Sequence, residues 1–141
     1  MPLTRDAKLM TGITLLLVPT IQFGGLTILG MLTQGAAGTG DGHATLNQLQ
    51  MSLFRAGHAH AGVWLVLSLI LQVLLDSAKL SAVMKWLARI AAPVGTLALS
   101  GGFFGLAFNV GFRLLLYFGA AAMLVAVLLT GVGLLRNLRT G

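Results

Sequence analysis

The stretch Leu114-Leu115-Leu116-Tyr117-Phe118-Gly119-Ala120-Ala121-Ala122-Met123-Leu124-Val125-Ala126-Val127-Leu128-Leu129-Thr130-Gly131-Val132-Gly133-Leu134-Leu135 holds 22 residues without a charge and runs directly into Arg136. A helix crosses the hydrocarbon of a bilayer with about 20 apolar residues, so this stretch reads as a membrane span with a basic anchor at its end. The rest of the chain agrees. Of its 141 residues 57% are hydrophobic and 9% charged, and the mean hydropathy is +0.93. A soluble domain of this size is not built that way, and the whole chain reads as one integral membrane domain.

Working back toward the N-terminus, a third span is expected from about Ile90 to Phe108, containing Pro93, the string Ser100-Gly101-Gly102, and Gly105, with Asn109 just beyond. Small residues at this density let helix backbones approach closely. A second span covers Ala56 to Leu75 and ends at Asp76, followed by a connection with Lys79, Lys85 and Arg89. The first runs from Met10 to Leu32. Inside it Pro19 predicts a modest kink whose freed carbonyl is satisfied by a hydroxyl such as Thr20, and Gln22 predicts an interhelical hydrogen bond. Arg5 and Lys8 before it resemble the basic start of a signal peptide, but the apolar run outlasts a secretory core and no small-residue cleavage site interrupts it, so it is kept as a span. Between the first two spans, residues 33–43 are glycine-rich and polar, a loop lacking the strand and the Gly-Lys-Ser/Thr of a phosphate cradle. Thr45 and Gln48 have the spacing of a capping box, so the second helix is expected to begin near Leu46.

The fold class is therefore all-α: an integral membrane four-helix bundle, one domain over 1–141, with spans at about 10–32, 56–75, 90–108 and 114–135. With the N-terminus in the cytoplasm, Arg5, Lys8, Lys79, Lys85, Arg89, Arg136 and Arg139 lie inside, against Arg55 and Arg113 outside. This asymmetry puts both termini in the cytoplasm of a multi-pass cell-membrane protein. The net charge of +6 sits at span ends and forms no patch interleaved with aromatics, so no nucleic-acid partner is expected, whereas the lipid bilayer is. The absence of cysteine removes disulfide, iron–sulfur and thiolate chemistry.

Chemistry concentrates in Phe54-Arg55-Ala56-Gly57-His58-Ala59-His60-Ala61-Gly62, which places an arginine and two of the three histidines at the mouth of the second span. Ionisable side chains there are a functional hypothesis by default. Two residues apart on a helix, His58 and His60 point about 200° from one another and cannot readily share an ion. His58 shares its stripe with Ala61, Leu65, Ser68 and Gln72, a small and polar set suited to a bundle interior. His60 shares its stripe with Trp64, Leu67, Leu71 and Leu74, suited to lipid or another subunit. His58 is thus the expected inward ligand. Arg55, one turn nearer water on almost the same face, would meet the propionates of a haem held by His58, and Arg113 would supply a second clamp.

The string from Arg55 to Trp64 resembles the histidine-bearing helix of membrane proteins related to subunit I of the haem-copper oxidase and nitric oxide reductase superfamily. That resemblance implies haem b, with His58 or His60 on the iron and Arg55 on a propionate. It also implies an architecture in which a four-helix chain, similar to one of three arcs, forms a homo-oligomer, a trimer being one option. The later spans hold no histidine, so a complete oxidase is excluded, and a bis-histidine site would need His43, His60 or a neighbouring subunit. The resulting expectation is a haem-binding membrane protein with a redox, electron-transfer or gas- or haem-handling role, the haem lying near the extracytoplasmic side. Two rival readings are a copper or other metal site built from His43, His58 and His60 with Met31 and Met51, and a small transporter lined by Gln22, Ser68, Gln72, Ser100 and Asn109. A purely structural subunit is a further possibility.

Overall fold

The computed structural model describes residues 2–36 and 46–138. Every regular element among them is helical: α1 (Arg5–Leu15), α2 (Val18–Ala36), α3 (Gln48–Ser77), α4 (Ala82–Leu106) and α5 (Arg113–Leu138), with a 3-10 turn at Val110–Phe112 before α5. They make four spans long and apolar enough to cross a membrane, Arg5–Met31, Gln48–Ser77, Ala82–Leu106 and Val110–Leu138.

The first span is two helices, a correction to the single kinked helix expected. Pro19 has no N–H and its ring crowds the carbonyl four residues back, at Leu15, where α1 ends. The chain turns at Leu16 and Leu17. Thr20 then donates to the Leu17 carbonyl, from its hydroxyl at 2.6 Å and from its backbone N–H at 3.2 Å, and so does not serve the Leu15 carbonyl that Pro19 frees, contrary to the expectation.

The capping box lies two residues beyond the expected one. The Asn47 side chain accepts from the Gln50 N–H at 2.8 Å while Gln50 Oε1 accepts from the Asn47 N–H at 3.0 Å; Thr45 falls outside the described residues. Gln50 Nε2 also donates to the Ala107 carbonyl at 3.0 Å, pinning the start of α3 to the end of α4. The third span, by contrast, begins earlier than expected, at Ala82. Ser81 is its N-cap, accepting from the Met84 N–H at 3.3 Å, so Lys85 and Arg89 belong to helix α4 and not to a connection.

Helices α3, α4 and α5 form the packed part of the bundle. A Cβ at Gly119 would run into the backbone of Leu99, and one at Gly102 would stand 2.6 Å from the Leu116 nitrogen, so α4 and α5 meet backbone to backbone as the small residues predicted. Leu71, Ala92, Met123 and Ala126 join the three helices in one core cluster, with Trp64 and Leu67 packed against it. The first span is different: on α2 Ile28 is buried, while Phe23 and Leu26 are 73% and 67% exposed.

One end of the bundle is stapled by hydrogen bonds. Thr4 donates to Asp76 through its N–H at 2.9 Å and its hydroxyl at 2.7 Å, Asn137 Nδ2 donates to the Ser77 carbonyl at 2.9 Å, and the Lys79 N–H donates to the Gly133 carbonyl at 2.8 Å. The start of α1, the α3–α4 link and the end of α5 therefore share the carboxylate end. Arg55, His58, His60 and Arg113 lie at the opposite, histidine end. This up-down arrangement is what an even number of spans requires.

Candidate functional site

The face bearing Ala61, Leu65, Ser68 and Gln72 is buried, as expected of an interior stripe. At its outer end His58 meets α2. A Cβ added at Gly25 would stand 2.8 Å from His58 Cε1 and 2.9 Å from Nε2, so the edge of the ring that would carry a metal lies flat against a residue with no side chain. In this packing one edge of the half-buried His58 ring is covered by α2.

His60 faces the other way, but not toward open lipid. Its ring centroid is 4.8 Å from that of Phe103 on α4, and the residues below it, Trp64, Leu67 and Leu71, belong to the core shared with α4 and α5. Only Leu74 of that stripe is exposed. The expectation that this face meets lipid or another subunit is thus corrected: α3 is covered on both sides, by the first span and by the α4–α5 pair. His60 is half-buried, and its Nδ1 is 2.8 Å from the Ala56 carbonyl. A carbonyl only accepts, so Nδ1 carries the proton in the neutral ring and the lone pair is on Nε2. Nε2 has no hydrogen-bond partner among the described residues. That is the tautomer and orientation of a nitrogen ligand whose other ring nitrogen is tied to the backbone.

Arg55 and Arg113 are both exposed at the histidine end, and neither is in an ion pair among the described residues. They lie on different sides. Arg55 follows His58 on its face of α3, whereas Arg113 opens α5, the helix toward which the His60 face turns. From the level of the Leu71–Met123 cluster, His60 is about 16 Å and Arg113 about 15 Å further toward this end at 1.5 Å per residue, so the two stand at similar depth. Beside Arg113 a shallow cleft of about 530 Å³ is lined by Asn109, Gly111, Phe112, Leu114 and Leu115. The aromatic rings of Phe54, Phe104 and Phe108 pack edge to face at this end, with centroids 5.4 and 5.8 Å apart, and hold α3 to α4.

His43 lies outside the described residues. Among those described, no group of three or more His, Asp or Glu side chains is placed to share a metal ion. The polar residues of the transporter reading divide. Ser68, Gln72 and Ser100 are buried on the α3 and α4 faces that meet, while Gln22 and Asn109 are exposed. Ser68 is bonded to Thr96 at 3.0 Å, and Gln72 is spent on Arg89.

This last contact was not foreseen from the sequence. Arg89, 2% exposed, is a buried partner of Asp76 and not an anchor in a connection. Its Nη2 is 2.5 Å from Asp76 Oδ1, and its Nη1 donates to the Gln72 carbonyl at 2.8 Å and to Gln72 Oε1 at 3.3 Å. Pro93, lacking an N–H, leaves the Arg89 carbonyl without its helical donor, and Gln72 Nε2 fills the gap at 2.9 Å. Three signals were present: Ser81 as an N-cap, Pro93 four residues after Arg89, and Gln72 four before Asp76. Discounting Arg89 leaves Arg5, Lys8, Lys79, Lys85 and Arg136 among the described residues at the carboxylate end, against Arg55 and Arg113 at the other, so the asymmetry survives. No family model, curated protein or solved structure matches the chain, and its functional reading rests on these residues alone.

Proposed function

We propose that the chain is a multi-pass membrane protein, its carboxylate end in the cytoplasm, that binds haem b at the extracytoplasmic, histidine end and serves a redox, electron-transfer or gas- or haem-handling role. The observation that carries the reading is His60: Nδ1 is committed to the Ala56 carbonyl, which leaves Nε2 as a free, oriented donor on a half-buried ring. His60 takes over the ligand role first expected of His58, because Gly25 covers the nitrogen of the latter.

A haem requires one or two protein ligands, whereas a bare copper or zinc ion held by protein alone requires three or four. The described residues offer single histidines and no group of three His, Asp or Glu, an arrangement that suits haem. Bound haem would supply one-electron chemistry or a site for a diatomic gas. The chain's own residues would do the rest: His60 would hold the iron, Phe103 packs against the imidazole and keeps its orientation, and Arg113, at similar depth on the adjoining helix, would offer a fork for a carboxylate. The transporter reading receives less support, since Ser68, Thr96 and Gln72 are bonded to their neighbours and line none of the clefts described.

The test is the absorption spectrum of the full chain, purified in detergent from haem-replete cells, oxidised and then reduced. A Soret band that survives in His58→Ala and is lost in His60→Ala supports the assignment. A band retained in His60→Ala refutes His60 as the ligand, and a colourless wild type refutes haem binding.

A further inference from the structure

The two membrane-depth glutamines have opposite surroundings, and Gln22 is the unsatisfied one. It sits on α2, exposed, with no hydrogen bond among the described residues. The midpoint of the Arg5–Met31 span is near residue 18, which puts Gln22 about 6 Å from the middle of a hydrocarbon layer whose half-thickness is about 15 Å. The threonine hydroxyls of α2 are satisfied locally. The hydroxyl of Thr20 donates to the Leu17 carbonyl, that of Thr27 to Phe23 at 2.9 Å and that of Thr33 to Leu29 at 3.0 Å. A primary amide has two donors and an acceptor, and its oxygen finds no free donor inside a helix. Left in hydrocarbon it is costly, and a polar partner on another helix is what removes the cost.

The residues around it have the spacing of a helix–helix seam. Gln22, Leu26, Leu29 and Thr33 alternate at intervals of four and three, the spacing of a left-handed helix pair, and all four are exposed. They are distinct from the face of α2 that carries Gly25 and Ile28 to α3. Gln72, nearer the carboxylate end, is no partner for it, being fully buried and already bonded.

We infer that the Gln22 face of α2 is a self-association surface, on which the Gln22 amide pairs with Gln22 of a second copy of this chain and Leu26 and Leu29 pack around it. A seam that meets itself across a twofold axis brings the same amide to both sides, so one exposed glutamine satisfies two chains at once. The inference rests on the membrane placement proposed above and is independent of haem.

The test uses the full chain reconstituted in phosphatidylcholine vesicles at graded protein-to-lipid ratios, with self-association read by energy transfer between labelled copies. The expected result is that Gln22→Leu weakens association about 3- to 20-fold, the range for hydrogen bonds between membrane helices, while Gln22→Asn retains it. The chain has no cysteine, so single-cysteine variants report the face directly: Leu26→Cys forms an inter-copy disulfide on oxidation and Thr27→Cys, on the flank, does not. Equal association of Gln22→Leu and wild type, equal cross-linking at both positions, or a wild type that stays monomeric at every density overturns the interface while leaving membrane placement intact. Extraction of the wild type from membranes by alkaline carbonate would remove the membrane placement itself, and the inference with it.

Discussion

Gln72 and Gln22 are the same side chain in two solvents. On α3, Gln72 is fully buried with its amide nitrogen on the Arg89 carbonyl and its oxygen on the Arg89 guanidinium, a pocket made by Pro93 on one side and Asp76 on the other. On α2, Gln22 is bare. The contrast extends to the elements that carry them: α4 and α5 approach backbone to backbone at Gly102 and Gly119 with α3 packed against them, whereas the first span, broken at Leu16–Leu17, leaves most of its apolar surface uncovered. One region has resolved most of its polar groups within the chain, the buried Ser100 hydroxyl excepted. The other is shaped to resolve them outside it.

Breaking the resolved region has the largest expected effect. Arg89→Leu leaves Asp76 without its cation and Gln72 without its donor. Removing one partner of a buried pair costs about 3–5 kcal/mol, and the 17% exposure of the Asp76 side chain places this one toward the lower value. The measurement is the unfolding free energy of detergent-solubilised protein. An unchanged value would mean that the pair contributes nothing to the bundle.

A smaller effect isolates the proline. Gln72→Leu orphans the Arg89 carbonyl, a loss of about 1–3 kcal/mol. In a Pro93→Ala background the N–H of the introduced alanine supplies the helical bond, so the same substitution costs less, with a coupling on the order of 1 kcal/mol in the double-mutant cycle. Additivity would show that the glutamine does not serve the carbonyl that Pro93 frees. At the other extreme, Phe23→Ala on α2 is expected to change the stability of the single chain by less than about 0.5 kcal/mol, because its ring touches little of the bundle.

The same contrast explains what could be read from the sequence. Composition and the uncharged run from Leu114 to Leu135 carried the all-α, four-span architecture, since length and apolarity are sufficient to call for a span. The buried stripe through Ala61, Leu65, Ser68 and Gln72 followed from helical period alone. Contacts between distant positions did not. That Arg89 faces Asp76 depends on where α4 begins, and counting it among the anchors hid its partner. The proposed choice between the histidines depends on packing in the same way. Period placed them on opposite faces correctly, but choosing between the faces required knowing that Gly25 lies against one ring and Phe103 against the other. A stripe of bulky apolar residues under His60 looks the same whether it meets lipid or the α4–α5 pair.

The central claim, that His60 presents the ligand nitrogen of this protein, is tested most directly by the reduced-minus-oxidised spectrum of the purified full chain beside His58→Ala and His60→Ala. The account predicts a haem difference spectrum in the wild type and in His58→Ala and none in His60→Ala. A spectrum that vanishes with His58 and persists without His60 would contradict it.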